Sequence, residues 1–263
     1  MQYIRKITKK ILPLYGLCPL LITFIVNCLA YGGAKLIAGN WKHYCMETVL
    51  DQRIPFLPWT LAIYLGCYLF WIVNYVIIAG GEREEVDRFF LADVMSRIIC
   101  FALFLALPTT NHRPVISENG FWNLGMKFLY TVDSAENLFP SIHCLTSWFC
   151  FIGVRRRKGI PKWYRFFSAA AAVAVFLATL TTKQHVIVDV VGGVLLSEGC
   201  FFLSGCGKAA ELYGKLMDAL LSCFSSRREV KSRSAWKSYK RTAQKSGSEA
   251  FGKCKAGKKQ QQI

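Results

Sequence analysis

The eleven cysteines form no Cys-x-x-C pair and no cysteine–histidine cluster. That excludes zinc fingers and ribbons, whose ligands recur at short fixed spacing. A disulfide framework is not expected either, since such frameworks belong to small secreted domains. Cys18, Cys28, Cys67, Cys100, Cys150 and Cys200 instead lie within apolar runs, where a thiol acts as a small hydrophobe. Acidic residues are scarce, 16 against 33 Lys and Arg, for a formal charge of +17. Histidine is rarer still, with four in 263 residues. No internal repeat and no N-glycosylation sequon occurs, and neither absence decides the class.

Long stretches also lack charge of either sign. Residues 11–31 and 56–79 contain no Asp, Glu, Lys or Arg, and each is long enough to cross a ~30 Å hydrocarbon layer as a helix. Further apolar segments occupy 89–107, 138–154, 166–182 and 186–204. Hydrophobic residues make up 53% of the chain, and the natural reading is an all-α membrane protein with six transmembrane helices. The basic start followed by an apolar run resembles a signal peptide, but the run is long and lacks a convincing cleavage site, so it reads as a retained first span.

Charge asymmetry gives the orientation. With six spans, 26 of the 33 Lys and Arg residues fall in 1–10, 80–88, 155–165 and 205–263, and only 6 in 32–55, 108–137 and 183–185. This predicts both termini inside. From Arg227 onward twelve basic residues face two Glu, so much of the net charge sits in one tail. The domain reading is a six-span domain over 1–206, a possible interfacial amphipathic helix over 207–226 (Leu212, Leu216, Leu220 and Phe224), and a basic, solvated tail over 227–263. Anionic lipid headgroups are the natural partner of such a tail beside a bilayer. Nucleic acid is not, because no folded module is present to read bases.

Three segments stand at the ends of predicted spans, and the charge pattern, which made no use of their histidines or of Asp189, puts all three on the outer face. They are Asn111-His112-Arg113-Pro114, the run Asn137 to His143, and the run Thr182 to Asp189. His185 and Asp189 are four apart, so on a helix they face the same way. A carboxylate there holds one ring nitrogen and leaves the other as a nucleophile. His143, at the start of another helix, can protonate a leaving alkoxide. Arg113 and Lys183 are candidate phosphate ligands, and Pro140-Ser141 opens a helix whose dipole favours an anion. His43 and His112 have no such partners in the sequence and read as ordinary loop residues.

With those residues the chain resembles the type 2 phosphatidic acid phosphatase superfamily, over roughly residues 85–205. The resemblance rests on Arg113-Pro114, on Pro140 to His143 (Pro-Ser-x-His), and on His185 to Asp189 followed by Val190-Val191-Gly192-Gly193. It implies a six-helix membrane bundle with no metal or other cofactor. It further implies that His185 forms a phosphohistidine, Asp189 orients it, and His143 is general acid and then base. Arg113, Ser141 and Lys183 would bind the phosphate. Ala106, Ile142, Ala178 and Thr179 replace a lysine, a glycine, a serine and an arginine usual in the family's phosphatases. Those losses, with Asp133 and Asn137, look more like the branch containing inositol phosphorylceramide and sphingomyelin synthases.

The expected function is therefore metal-independent hydrolysis of a lipid phosphate or pyrophosphate at the extracytoplasmic face, bacterial plasma membrane being the setting. Headgroup transfer is the alternative, and a transporter or scaffold a lesser one. Asp93 and Arg97, four apart inside a span, read as a mutually neutralising structural pair, and Glu198 also as structural. Gly192-Gly193 reads as a close helix contact, and 115–136 as an interfacial segment over the site.

Overall fold

A computed structural model describes residues 12–222. The expected basic N-terminus, Phe224 and the tail 227–263 lie outside those residues. The chain divides into two compact units, Met1–Lys215 and Leu216–Ile263. The larger is a helical bundle: α1 (Leu14–Ala38), α2 (Val49–Arg53), α3 (Leu61–Ala79), α4 (Arg83–Ala106), α5 (Phe121–Val132), α6 (Ile142–Arg155), α7 (Lys162–Thr181) and α8 (Ile187–Ser204). Further helix covers 209–222, so Leu212 lies in the first unit and Leu216 and Leu220 in the second, all three helical as their spacing suggests.

Each apolar segment expected to span contains a helix. Among the described residues, five helical stretches are long and apolar enough to cross a membrane: Leu14–Ala38, Pro58–Ala79, Arg83–Ala106, Lys162–Thr181 and Ile187–Ser204. This is an integral membrane protein. The segment expected at 138–154 yields α6, only 14 residues long. At 1.5 Å per residue that is about 21 Å, short of a ~30 Å hydrocarbon layer. Its length is explained by its place. It packs against α3, α4, α7 and α8, and Leu145, Phe149, Cys150, Ile152 and Val154 are buried. A helix enclosed by others has no lipid boundary to match.

The outer helices show the inverse pattern. Leu21, Phe24 and Leu29 on α1, Leu69 and Ile72 on α3, and Phe166 and Leu177 on α7 are exposed, as lipid-facing side chains are. Inside, one buried ion pair is hydrogen-bonded across three helices, as a low-dielectric interior favours. Arg97 donates to Asp93 at 2.8 Å and to Thr146 at 2.9 Å, and Tyr75 donates to Asp93 at 2.7 Å. The expected neutralising pair is therefore present and joins α3, α4 and α6. Glu198 accepts from Trp148 at 2.8 Å and from Arg155 at 2.8 Å. All six thiols assigned to apolar runs are free.

Connecting segments gather at the bundle end where α1, α4 and α7 finish and α3, α6 and α8 begin. Tyr44–Cys45 (β1) and Thr109–Thr110 (β2) pair in parallel there. The interfacial segment expected over 115–136 contains α5. Its inner face buries Met126 and Leu129 against Leu61 and Tyr64, while Phe121, Leu124 and Phe128 stay exposed.

Candidate active site

The three sequence segments converge at that end and are joined by direct bonds. Asn111 Nδ2 donates to the Lys183 carbonyl at 2.9 Å, and Arg113 donates to Gln184 Oε1. The Ser141 N–H donates to the Asp189 carbonyl at 3.1 Å, tying the start of α6 to the start of α8. That close approach needs a glycine. A Cβ on Gly193 would lie 2.7 Å from the Ser141 carbonyl oxygen and 3.1 Å from the Leu145 nitrogen. One on Gly192 would run into the Phe139 ring. The expected close contact at Gly192-Gly193 is thus between α8 and the first turn of α6, which carries His143.

His185 and Asp189 meet, but not along one helix: His185 stands ahead of the extended N-cap Val186, and Asp189, in the first turn of α8, turns back toward it. His185 Nδ1 faces Asp189 Oδ2 at 3.2 Å, and the same oxygen accepts from the Val186 N–H at 3.0 Å, fixing the carboxylate at the helix start. Both side chains are buried. With Nδ1 committed to the carboxylate, Nε2 carries the lone pair, the arrangement a nitrogen nucleophile needs. The His143 ring lies 5.8 Å from that of His185, centroid to centroid. It is walled by α3, stacked on Tyr64 at 4.6 Å and touching Trp71 at 5.4 Å and Tyr68 at 6.1 Å. Its Nε2 is buried and has no hydrogen-bond partner.

Ser141 caps α6, its Oγ accepting from the Cys144 N–H at 3.3 Å, which leaves the hydroxyl proton to donate. Arg113 is fixed by Gln184, by the Asp133 carbonyl and by the Tyr130 ring 4.7 Å away. Burial lowers its pKa from the usual guanidinium value, opposed by the Asp133 carboxylate and nearby tyrosines. Lys183 points elsewhere. In a left-handed backbone conformation (φ 54°), it donates to the carbonyls of Asp51 at 2.9 Å and Ile54 at 2.7 Å. It anchors α2 and its following loop, while lining a small recess with His185.

Several participants carried little sequence signal. Asp133 accepts from Tyr31 at 2.9 Å and from Tyr64 at 3.2 Å, and so braces the ring against which His143 stacks. Tyr64, Tyr68 and Trp71 recur three to four residues apart on α3, a helical stripe that reads equally well as lipid-facing. Asp51 accepts from the Ile187 N–H at 2.7 Å and from Thr48, holding the start of α8 from the short helix α2 far upstream. Buried polar atoms without partners collect in these segments: His143 Nε2, Gln184 Nε2, Arg113 Nε, Asp189 Oδ1 and both side-chain heteroatoms of Asn137. Donors and acceptors left open beside a histidine pair are what a polar substrate would satisfy.

Comparison with curated proteins and with solved structures gave no match. The profile of the PAP2 superfamily, whose members are phosphatases and related phosphotransferases, matches residues 37–203. That stretch covers well over half the chain and contains every residue of the histidine site. The chain belongs to the PAP2 superfamily, the type 2 phosphatidic acid phosphatases and their relatives.

Proposed function

We propose that this protein is a metal-independent lipid phosphatase. His185 Nε2 attacks the phosphorus of a lipid phosphate or pyrophosphate, the P–O bond to the leaving group breaks, and a phosphohistidine forms. His143 Nε2 gives its proton to the departing oxygen, then takes one from the water that attacks the phosphohistidine. Asp189 holds the His185 proton at Nδ1 and stabilises the cationic ring that forms when Nε2 is phosphorylated. Arg113 and Ser141 bind phosphate oxygens, and Arg113's N–H groups toward Asp133 and Gln184 fix its plane. The single observation that carries this reading is the His143–His185–Asp189 geometry: one ring held by a carboxylate, the other free at Nε2, 5.8 Å apart.

A lipid substrate is supported by the surroundings. An apolar cavity of about 640 Å³ lies between α3 and α5, bordered by Leu61, Leu65, Trp122, Gly125 and Phe128. It lies one helical turn from Tyr64, so a tail in this groove would leave a headgroup near the histidines. The charge asymmetry of the sequence supports a site on the extracytoplasmic face.

Headgroup transfer to a lipid alcohol is the second reading, and one observation favours it. Lys183 is engaged by two carbonyls, and Ala106, Ala178 and Thr179 add no charge, so Arg113 is the phosphate-binding cation of this reading. One guanidinium matches the single charge of a phosphodiester better than the double charge of a monoester. The test is incubation of purified protein with labelled lipid phosphates and phosphodiesters in EDTA, against His185→Ala. Phosphate release lost in the variant supports hydrolysis, and label moved to an added lipid alcohol supports transfer. If acid-labile label on the protein and both products are absent, the phosphohistidine reading falls.

A further inference from the structure

A second cluster of chemically active side chains lies on the loops beside the histidine site. Parallel pairing of Tyr44–Cys45 with Thr109–Thr110 brings two segments together that are more than sixty residues apart in sequence. As a result Cys45, Glu47 and His112 converge, their ligand atoms all within 4.8 Å of one another. Cys45 Sγ is 3.5 Å from His112 Nδ1, and Glu47 Oε2 is 3.0 Å from the same nitrogen.

We propose that Cys45, Glu47 and His112 form a binding site for a borderline-soft divalent cation of the zinc class. The distances support this. Bonds of about 2.3 Å to sulfur and about 2.0 Å to nitrogen or oxygen at a tetrahedral angle put S···N near 3.5 Å and N···O near 3.3 Å. The two separations from Nδ1, 3.5 and 3.0 Å, are already close to those edges, and the sulfur lies within 4.8 Å of the carboxylate. The donor set points the same way, since one thiolate, one imidazole and one carboxylate suit zinc or cobalt and not magnesium or calcium, which take oxygen ligands. The His112 side chain is 83% exposed, so the ion has open access and a free fourth position for water. Binding requires the thiol to lose its proton and Nδ1 to present its lone pair.

The site stands apart from the reacting atoms but borders them. Glu47 and His112 line the same small recess as Asp51, Lys183 and His185. His112 is followed directly by Arg113, and Glu47 lies just before the helix of Asp51, which holds the Ile187 N–H. A bound ion therefore tethers the segment bearing Arg113 to the start of α2, which fixes the start of α8.

The experiment is a Co²⁺ titration of chelator-stripped protein in detergent, followed by absorbance and then by Zn²⁺ displacement. The wild type is expected to take up about one equivalent, with a thiolate-to-cobalt band in the near ultraviolet that Zn²⁺ abolishes. Cys45→Ser removes the band, while Glu47→Gln and His112→Ala weaken binding at least tenfold. His185→Ala leaves the titration unchanged, so the outcome is independent of whether the histidine site hydrolyses lipid phosphates. Thermal unfolding in chelator, matched between wild type and each ligand variant, confirms that the variants are folded. A band that persists in Cys45→Ser, or wild-type affinity no higher than that of a Cys45→Ser/His112→Ala double variant, overturns the proposal.

Discussion

Asp189→Asn isolates the charge that Asp189 supplies. In the native site Oδ2 takes both hydrogen bonds, from His185 Nδ1 at 3.2 Å and from the Val186 N–H at 3.0 Å, while Oδ1 has no partner. An asparagine placed with its oxygen at Oδ2 keeps both bonds and leaves the nitrogen where no bond is lost. Loss of stability should therefore stay at about 1 kcal/mol, the scale of a weakened helix cap. The reaction suffers more, because the His185 ring becomes cationic when Nε2 is phosphorylated. Unit charges at the observed 3.2 Å interact by about 5 kcal/mol at an effective dielectric of ~20. A neutral amide retains part of that, leaving a loss of about 2–5 kcal/mol. At 1.36 kcal/mol per decade, phosphohistidine formation slows by roughly 30- to 5000-fold. Single-turnover labelling with a radioactive lipid phosphate measures that rate, and thermal unfolding in detergent measures the stability. A labelling rate within about threefold of wild type, with the fold intact, would refute the orienting role and leave Asp189 as a helix cap.

Gly193→Ala should lower turnover by about 10²-fold, since the added carbon meets the Ser141 carbonyl oxygen at 2.7 Å and pushes the first turn of α6, with His143, away from His185. Gly199→Ala, which meets nothing within 4 Å, is the matched control and should leave activity and melting temperature unchanged or slightly raised. Arg97→Met leaves the Asp93 carboxylate buried without its counter-ion and should cost about 3–5 kcal/mol in detergent unfolding, whereas Asp93→Leu/Arg97→Met should recover most of it. A folded double variant that has lost all turnover would contradict the structural role. For Asp51, burial raises the pKa, but hydrogen bonds from Thr48 and Ile187 and the Lys183 charge outweigh it, so the group sits below its ordinary value of 3.8. Its stabilisation is then complete above pH ~4 and lost as pH falls through the lower folded value. Acid unfolding curves should show this loss in wild type and not in Asp51→Asn.

The sequence conveyed local relations and missed distant ones. Its apolar runs located every long helix, because a charge-free run of that length has few other uses. The first boundary was less legible: 11–31 was expected and α1 runs Leu14–Ala38, since Gly32, Gly33 and Lys35 look like a loop yet continue the helix. The pairing Asp93–Arg97 was readable because four residues on a helix bring side chains together wherever the helix goes. His185, expected on the same helix as Asp189, instead precedes α8 and meets it because Asp189 turns back over the N-cap Val186. Lys183 illustrates the limit. Its position two residues before His185 suggested a phosphate ligand, but its left-handed backbone directs the side chain to Asp51 and Ile54, residues about 130 positions away. The aromatic wall around His143 comes from α3 and the brace on Asp133 from α1, and neither has any local pattern linking it to the site. Cys45 and His112 are alike in this, since only the β1–β2 pairing makes them neighbours.

The shortness of α6 bears on how a substrate reaches the histidines. Arg155, Arg156 and Arg157 end the helix, and arginines of this kind settle at the level of the headgroups. At 1.5 Å per residue α6 is about 21 Å long, with His143 at the end away from these arginines and His185 beside it. We infer that the reacting groups lie below the headgroup plane, since α6 is shorter than a ~30 Å hydrocarbon layer. A lipid whose phosphate lies at the interface must sink its headgroup toward them, and the apolar cavity between α3 and α5 gives its tail a sideways path. A soluble phosphate ester gains nothing from that groove. Preference for long-chain over short-chain or water-soluble phosphates should follow, and should weaken when Gly125, whose added Cβ would meet the Leu61 side chain at 2.6 Å, is replaced by a bulkier residue that fills the groove. Equal turnover of soluble and long-chain substrates by wild type would place the path elsewhere.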